Sequence, residues 1–175
     1  GDWHTLVDFV LWGAARYPSK RLFVDVWNHG SGWLKTYPYY RSPIITGISY
    51  DDSSDNHIST PQLGRAMKKI SSELGKKIDI YGSDACLMQM LEVGYEIKDY
   101  VGVIIGSEET EPGDGWPYDD FLRGLEKLNG MEASAVAGLL VEVYGKSYSG
   151  GSQGKSEVTL SAFDASRLDE FVSSF

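Results

Sequence analysis

Two side chains able to do covalent chemistry each follow a short apolar run. Cys86, the only cysteine, lies in Gly82-Ser-Asp-Ala-Cys-Leu-Met88, and His29 follows Arg21-Leu-Phe-Val-Asp-Val-Trp27 after Asn28. A thiol attacks as its thiolate, which a helix N-terminus or an adjacent base favours. The pattern places Cys86 between a strand ending near Gly82 and a helix beginning near Leu87, so its sulfur is expected at a helix N-terminus. If His29 ends a neighbouring parallel strand, imidazole and thiol meet where open α/β sheets bind ligands, as acyl transfer requires. Gly30 lets a substrate carbonyl approach closely, and the N–H groups of Gly30 and Cys86 are candidates for an oxyanion hole. The plainer alternative is a buried, inert thiol and an ordinary loop histidine.

The elements that must position these groups follow from periodicity. His4–Tyr17 carries apolar residues at helical spacing and runs into Pro18. Arg21–Trp27 has the composition of a buried central strand, and Asn28–Pro43 that of a long loop leaving it. Ile44–Tyr50 suits a short strand and residues 51–56 a polar turn or hairpin. Thr60-Pro61 supplies a cap and a first-turn proline for a helix with Leu63, Met67, Ile70 and Leu74 on one face and Gly75 as its stop. Strand Lys77–Gly82, helix Leu87–Ile97 and strand Val101–Gly106 follow. This alternation predicts a mostly parallel central sheet covered by helices on both faces, a three-layer αβα sandwich. After a polar loop at 107–115, helices are expected at Pro117–Leu128 and Met131–Tyr148. A Gly/Ser-rich loop, strand Glu157–Phe163 and a helix capped by Asp164 complete the pattern.

Composition bounds the chemistry. With 175 residues the chain fits one domain that builds its own core without a staple, and one cysteine permits no internal disulfide. Its 16 basic and 25 acidic residues leave a charge of −9, which argues against a nucleic-acid backbone as partner and favours cationic ones. No apolar run reaches the ~18 residues of a membrane span.

Asp84-Ala-Cys86 with a histidine 57 residues earlier is similar to the caspase signature, in which Gln-Ala-Cys lies about 50 residues after the histidine. A closer resemblance comes from three ordered motifs. Trp27-Asn-His-Gly-Ser-Gly-Trp33, then Asp84-Ala-Cys-Leu-Met88 with Glu92, then Gly106-Ser-Glu-Glu followed by Pro112-Gly-Asp-Gly-Trp-Pro-Tyr118, together resemble the clostripain family of cysteine peptidases. The resemblance spans residues 5 to 165 and implies a caspase-like fold, with cleavage after Arg or Lys. By it Cys86 is the nucleophile and His29 the general acid/base, and Asp84 and Asp114 are acids of the pocket for the substrate's P1 side chain. The plainer roles are a helix cap for Asp84 and a turn for Asp114. Trp116, like Trp33, follows a glycine in a loop at the active edge and is expected to wall a substrate groove. Asp25 and Glu92 are assigned structural roles.

The resemblance further implies activation by self-cleavage between His29 and Cys86, for which Lys35 and Arg41 are the candidate sites. It implies a secreted or cell-envelope setting, and protein or peptide substrates as partners. No cofactor is required by this chemistry; some members of the family use calcium, and the resemblance admits it here, but no EF-hand spacing is present. The family's domain has an earlier strand before His4 and more sheet and helix after Phe175. Residues 1–175 are therefore expected to be a single caspase-like domain, incomplete at both ends, with a second fragment of the same precursor as its companion.

Two other classes were weighed. Gly150-Gly-Ser152-Gln-Gly154 matches the serine-hydrolase elbow in letters, but a helix precedes it and a strand follows, the wrong order for that turn. A non-catalytic acidic cleft that binds basic peptide segments is the rival function. It would require neither thiolate nor base.

Overall fold

The computed structural model describes residues 1–33 and 46–175; the two candidate processing residues, Lys35 and Arg41, lie outside them. The elements run α1 (Trp3–Arg16), β1 (Phe23–Trp27), β2 (Gly47–Asp51), β3 (Asn56–Ser59), α2 (Thr60–Leu74), β4 (Ile78–Asp84), α3 (Leu91–Ile97) and β5 (Val101–Gly106). They continue with α4 (Tyr118–Leu125), α5 (Ala133–Ser147), β6 (Ser149–Gly151), β7 (Gly154–Lys155), β8 (Ser161–Asp164) and α6 (Leu168–Ser173).

The central sheet has the order β1-β4-β5-β8. β1, β4 and β5 are parallel and β8 joins β5 antiparallel, so the sheet is mixed with a parallel core. Strand alternation divides the interior. Val24, Val26, Tyr81 and Ile104 join the core built with Val7 and Val10 of α1, Leu63, Met67 and Ile70 of α2, and Val93 and Ile97 of α3. Phe23, Ile80, Val103 and Ile105 face the other way, into the core with Phe121 of α4 and Val136, Leu140 and Tyr144 of α5. Neither helical layer covers its apolar face without the sheet, which fixes the three-layer arrangement.

Local chemistry explains most boundaries. The cap of α2 is Ser59, not Thr60. Its side chain accepts from the Gln62 N–H while the Gln62 side chain accepts from the Ser59 N–H, and Pro61 sits inside the first turn. Gly75 ends the helix in the left-handed conformation, φ 66°. β2 and β3 form the hairpin expected around residues 51–56, and the 150–154 segment is the turn of the β6–β7 hairpin, which removes any serine elbow there.

One departure bears on the chemistry. β4 runs on to Asp84, and the helix expected at Leu87 starts only at Leu91; residues 85–90 form a bend and turn. Leu87 takes φ 63°, outside the helical region, so no helix can start there. Gln89 pins this turn to the sheet: its N–H donates to Ser107 O at 3.0 Å, and its side-chain amide donates to Ile104 O at 3.2 Å and Ser161 O at 3.0 Å. Cys86 therefore does not sit at a helix N-terminus, and Asp84 ends a strand and caps no helix.

Candidate active site

β1 and β4 are neighbours in register, with Trp27 opposite Asp84, so the segments that leave their carboxyl ends emerge together. The Asn28 N–H donates to Asp84 O at 3.3 Å and continues the ladder by one step. His29 and Cys86 then line one cavity of about 180 Å³ with Trp27, Asp84, Glu111 and Gly113. This is the carboxyl edge of parallel strands, where the sequence places the chemistry.

The histidine segment is held by its backbone. Ser49 N–H donates to His29 O at 3.1 Å and Ser31 N–H donates to Gly47 O at 2.9 Å, on either side of the Gly30–Ile48 bridge. Those bonds belong to the flanking residues and leave the Gly30 N–H outside the ladder. The imidazole itself is exposed toward solvent. Gly30 lies against the thiol-bearing turn so closely that a β-carbon would collide with Cys86 O and lie 2.9 Å from Met88 Cγ. The next glycine, Gly32, has φ 63°, and a β-carbon there would meet Leu87 O at 2.7 Å.

The loop after β5 closes the other side. Leu87 N–H donates to Glu109 O at 3.0 Å, and Glu111 N–H donates to the Cys86 sulfur at 3.2 Å. The thiol hydrogen reaches toward Glu111 O at 3.9 Å. The loop after β5, and not a helix terminus, supplies the N–H that faces the sulfur.

Asp84 is 2% exposed, and its carboxylate is cradled by the Gly115-Trp116 turn. A β-carbon at Gly115, where φ is 61°, would fall 2.8 Å from Asp84 Oδ2, so glycine is required on both counts. Asp84 Oδ2 accepts from Trp116 N–H at 3.1 Å and from the Tyr118 hydroxyl at 2.7 Å. The same hydroxyl lies 2.7 Å from Asp25 Oδ2. One hydroxyl hydrogen serves one acceptor at a time, so the second short contact is best made when Asp25 carries a proton. The acidity of Asp25 agrees: its pKa is raised to about 6, through loss of hydration first and the nearby charge of Asp84 among the lesser causes, even though the residue reaches solvent along the edge strand. Burial, and then the Asp25 and Asp84 carboxylates, likewise hold the Tyr118 hydroxyl protonated.

Glu111 was not singled out by the sequence, because an acidic residue in a polar loop reads as solvated. Here it lines the cavity beside Asp84. Its Oε1 accepts from Trp116 Nε1–H at 3.3 Å, while Oε2 is enclosed without a donor among the described residues. Burial first and the Asp84 carboxylate second push its pKa well above the usual carboxylate range.

The remaining candidates fall in different places. Trp116 is 2% exposed and packs in the core with Phe121 and Tyr144, so it does not wall a groove. It supports the acids from beneath. The exposed Trp27 takes the place at the cavity. Asp114 is exposed and stands outside the cavity lining, flanked by Gly113 and Gly115, which belong to it. Trp33 borders a separate hollow with Leu91 and Tyr95. Among the described residues, no three His, Cys, Asp or Glu side chains gather in a way that suits a metal ion, and no helix is long and apolar enough to cross a membrane.

Comparison with known proteins bears on this geometry. A secreted C11 cysteine protease from Bacteroides thetaiotaomicron, solved with an irreversible peptide inhibitor, superposes with a TM-score of 0.75 at 25% identity, over 98% of this chain and 47% of that one. An inactive zymogen C11 protease from Parabacteroides distasonis superposes with a TM-score of 0.69 at 24% identity, over 98% of this chain and 42% of that one. The chain thus spans less than half the length of either structure, and its fold is the caspase-like one. A search of the curated proteins gave no match. The family model of the clostripain family matches residues 1–175, and the chain belongs to that family.

Proposed function

We propose that this chain carries the catalytic machinery of a cysteine endopeptidase that cleaves peptide bonds after Arg or Lys. The observation that carries the proposal is the joint placement of His29, Cys86 and the buried acid Asp84 on one small cavity at the carboxyl edge of the sheet. A thiol and an imidazole supply nucleophile and proton carrier, and a buried carboxylate close by favours a cationic side chain.

In the proposed reaction the Cys86 proton passes to His29 and the sulfur attacks the scissile carbonyl carbon. The oxygen becomes an anion that the Gly30 and Cys86 N–H groups stabilise. Among the described residues neither N–H meets an acceptor, so both are available. As the C–N bond breaks, His29 returns its proton to the leaving amine. Water, deprotonated by His29, then attacks the thioester and restores the thiol. The P1 side chain lies against Asp84, with Asp114 approaching from the rim. This chemistry uses no cofactor, and the substrates are proteins or peptides with a basic P1.

Self-cleavage at Lys35 or Arg41 is part of the same proposal, since either bond would offer a basic P1 between His29 and Cys86. The similarity to a zymogen structure supports it, as the similarity to a secreted protease supports an extracellular or envelope setting. The rest of such a precursor would be this chain's partner.

The test is fluorophore release from matched peptides with Arg, Lys, Asp or Leu at P1, under reducing conditions, for the wild type and Cys86→Ala. Release confined to Arg and Lys and abolished in the variant supports the proposal. A preference for Asp or Leu discards the acidic pocket. Binding of basic peptides without turnover by a folded, processed wild type would instead favour the non-catalytic cleft.

A further inference from the structure

Two carboxyls, Asp84 and Glu111, line the cavity together. Asp84 already receives two hydrogen bonds, from Trp116 N–H at 3.1 Å and Tyr118 at 2.7 Å. Among the described residues, Glu111 receives a single one, from Trp116 Nε1–H at 3.3 Å, and its second oxygen is enclosed without a donor. A buried carboxylate oxygen without a donor costs several kcal/mol in general, whereas a protonated one supplies its own hydrogen.

Among the described residues, the groups facing Glu111 do not offset a second charge. Asp84 and Asp25 are carboxyls, Tyr144 and Tyr148 are phenols whose own acidity the Glu111 charge weakens, and Cys86 touches its backbone. Among the described residues, His29 is the one lining the cavity that can carry a positive charge, and it is exposed. The carboxyl of Glu111 is pushed above the ordinary range, by burial and then by Asp84.

A guanidinium entering this cavity changes the balance, because it brings one positive charge and up to five donors to two carboxyls. We propose that Glu111 is a further carboxyl of the P1 pocket, held as a neutral acid beside Asp84 in the free enzyme and ionised when a cationic P1 side chain enters. Binding of a basic residue then releases a proton. This rests on the reading of the cavity as a P1 pocket and adds a regulation to it: affinity for Arg substrates rises with pH between the acidity of Glu111 in the complex and its acidity in the free enzyme. Over that interval the linkage approaches tenfold per pH unit for one proton.

The experiment is titration calorimetry of the full-length protein carrying Cys86→Ala, cleaved in trans by the wild type beforehand, with an uncleaved peptide bearing Arg at P1. It is run near neutral pH in buffers of different ionisation enthalpy, and repeated with citrulline at P1 as the neutral counterpart. The expected result is release of about one proton per Arg peptide and none per citrulline peptide. Adding Glu111→Gln should abolish the release and flatten the pH dependence of Arg affinity. Release that persists in Glu111→Gln would overturn the assignment, since the proton then comes from another group such as His29. Preference for Arg over citrulline with no proton released overturns it as well and leaves the basic pocket standing. No preference for Arg over citrulline removes the P1 pocket itself. Should Glu111→Gln fail to fold, the buffer series on the chain that keeps Glu111 still decides whether a proton is released.

Discussion

Gly30 and Cys86 are in backbone contact: the α-carbon of Gly30 faces the Cys86 carbonyl with no room for a β-carbon between them, and Ala85 Cβ would lie 3.0 Å from one. The histidine and cysteine segments therefore meet through a glycine, which would set the spacing of the proposed dyad. Gly30→Ala should push the two segments apart. A displacement of this kind costs catalysis much more than folding, because reacting groups must be aligned to a fraction of an ångström. The expected outcome is a fall in kcat/KM of about tenfold or more, or about 1.4 kcal/mol, with a melting temperature within a few degrees of wild type. Equal activity in a folded variant would show that the contact does not set the geometry.

How much of this was legible beforehand differs between residues. His29 and Cys86 each follow a strand whose apolar run is visible in the sequence, so position marked them, whereas Asp84, the last residue of β4, was marked by the family resemblance. Element boundaries were legible where a residue has one dominant role, as at Gly75. They were not legible at Leu87, whose left-handed backbone contradicts its own preference and is set by the contacts of the 85–90 turn with Glu109 and Gly32. Glu111 and Trp116 were misjudged for a related reason. Neither the burial of a loop carboxyl nor the direction of an indole is a local property, and both follow from how the loop after β5 folds under Asp84.

Asp84→Asn keeps an oxygen where Trp116 and Tyr118 donate, and removes the charge. The fold should persist while the Arg or Lys side chain loses a charge-assisted partner worth about 1.5–3 kcal/mol. That corresponds to roughly a ten- to hundredfold loss in kcat/KM for basic P1 substrates. Hydrolysis of a citrulline substrate should change little. The ratio of the two specificity constants, measured side by side, is the readout, and an unchanged ratio would assign the preference to another acid such as Asp114.

Trp116→Phe separates support from contact. Phenylalanine keeps an aromatic ring in the core but removes the N–H that reaches Glu111. Lost volume and one lost hydrogen bond should cost about 2 kcal/mol of stability, seen as a lower midpoint in urea with unchanged slope. The backbone N–H to Asp84 remains, so hydrolysis of basic substrates should survive. Because the lost bond is one that favours the Glu111 carboxylate, its removal should shift the pH dependence of KM for Arg substrates toward alkaline pH. Loss of all Arg preference would instead mean that the indole shapes the pocket directly.

The raised pKa of Glu111 also carries a sign for stability. Its folded pKa lies above the unfolded value, so the native state binds the proton more tightly than the unfolded chain does. Stability from this group is fully present below the ordinary carboxylate range. It declines as pH rises toward the folded pKa, by at most about 1.4 kcal/mol per pH unit, and stays lost above it. Asp25, raised to about 6, acts in the same direction over a lower interval. Glu111→Gln removes one titration and keeps the shape of the side chain. The melting temperature of the wild type should fall relative to the variant as pH rises from weakly acidic to alkaline, and the gap should widen steadily. Melting curves recorded across that range for both proteins decide the matter: parallel pH profiles would place the Glu111 carboxyl in ordinary contact with solvent, and with it remove the reason for a proton to leave when a basic substrate binds.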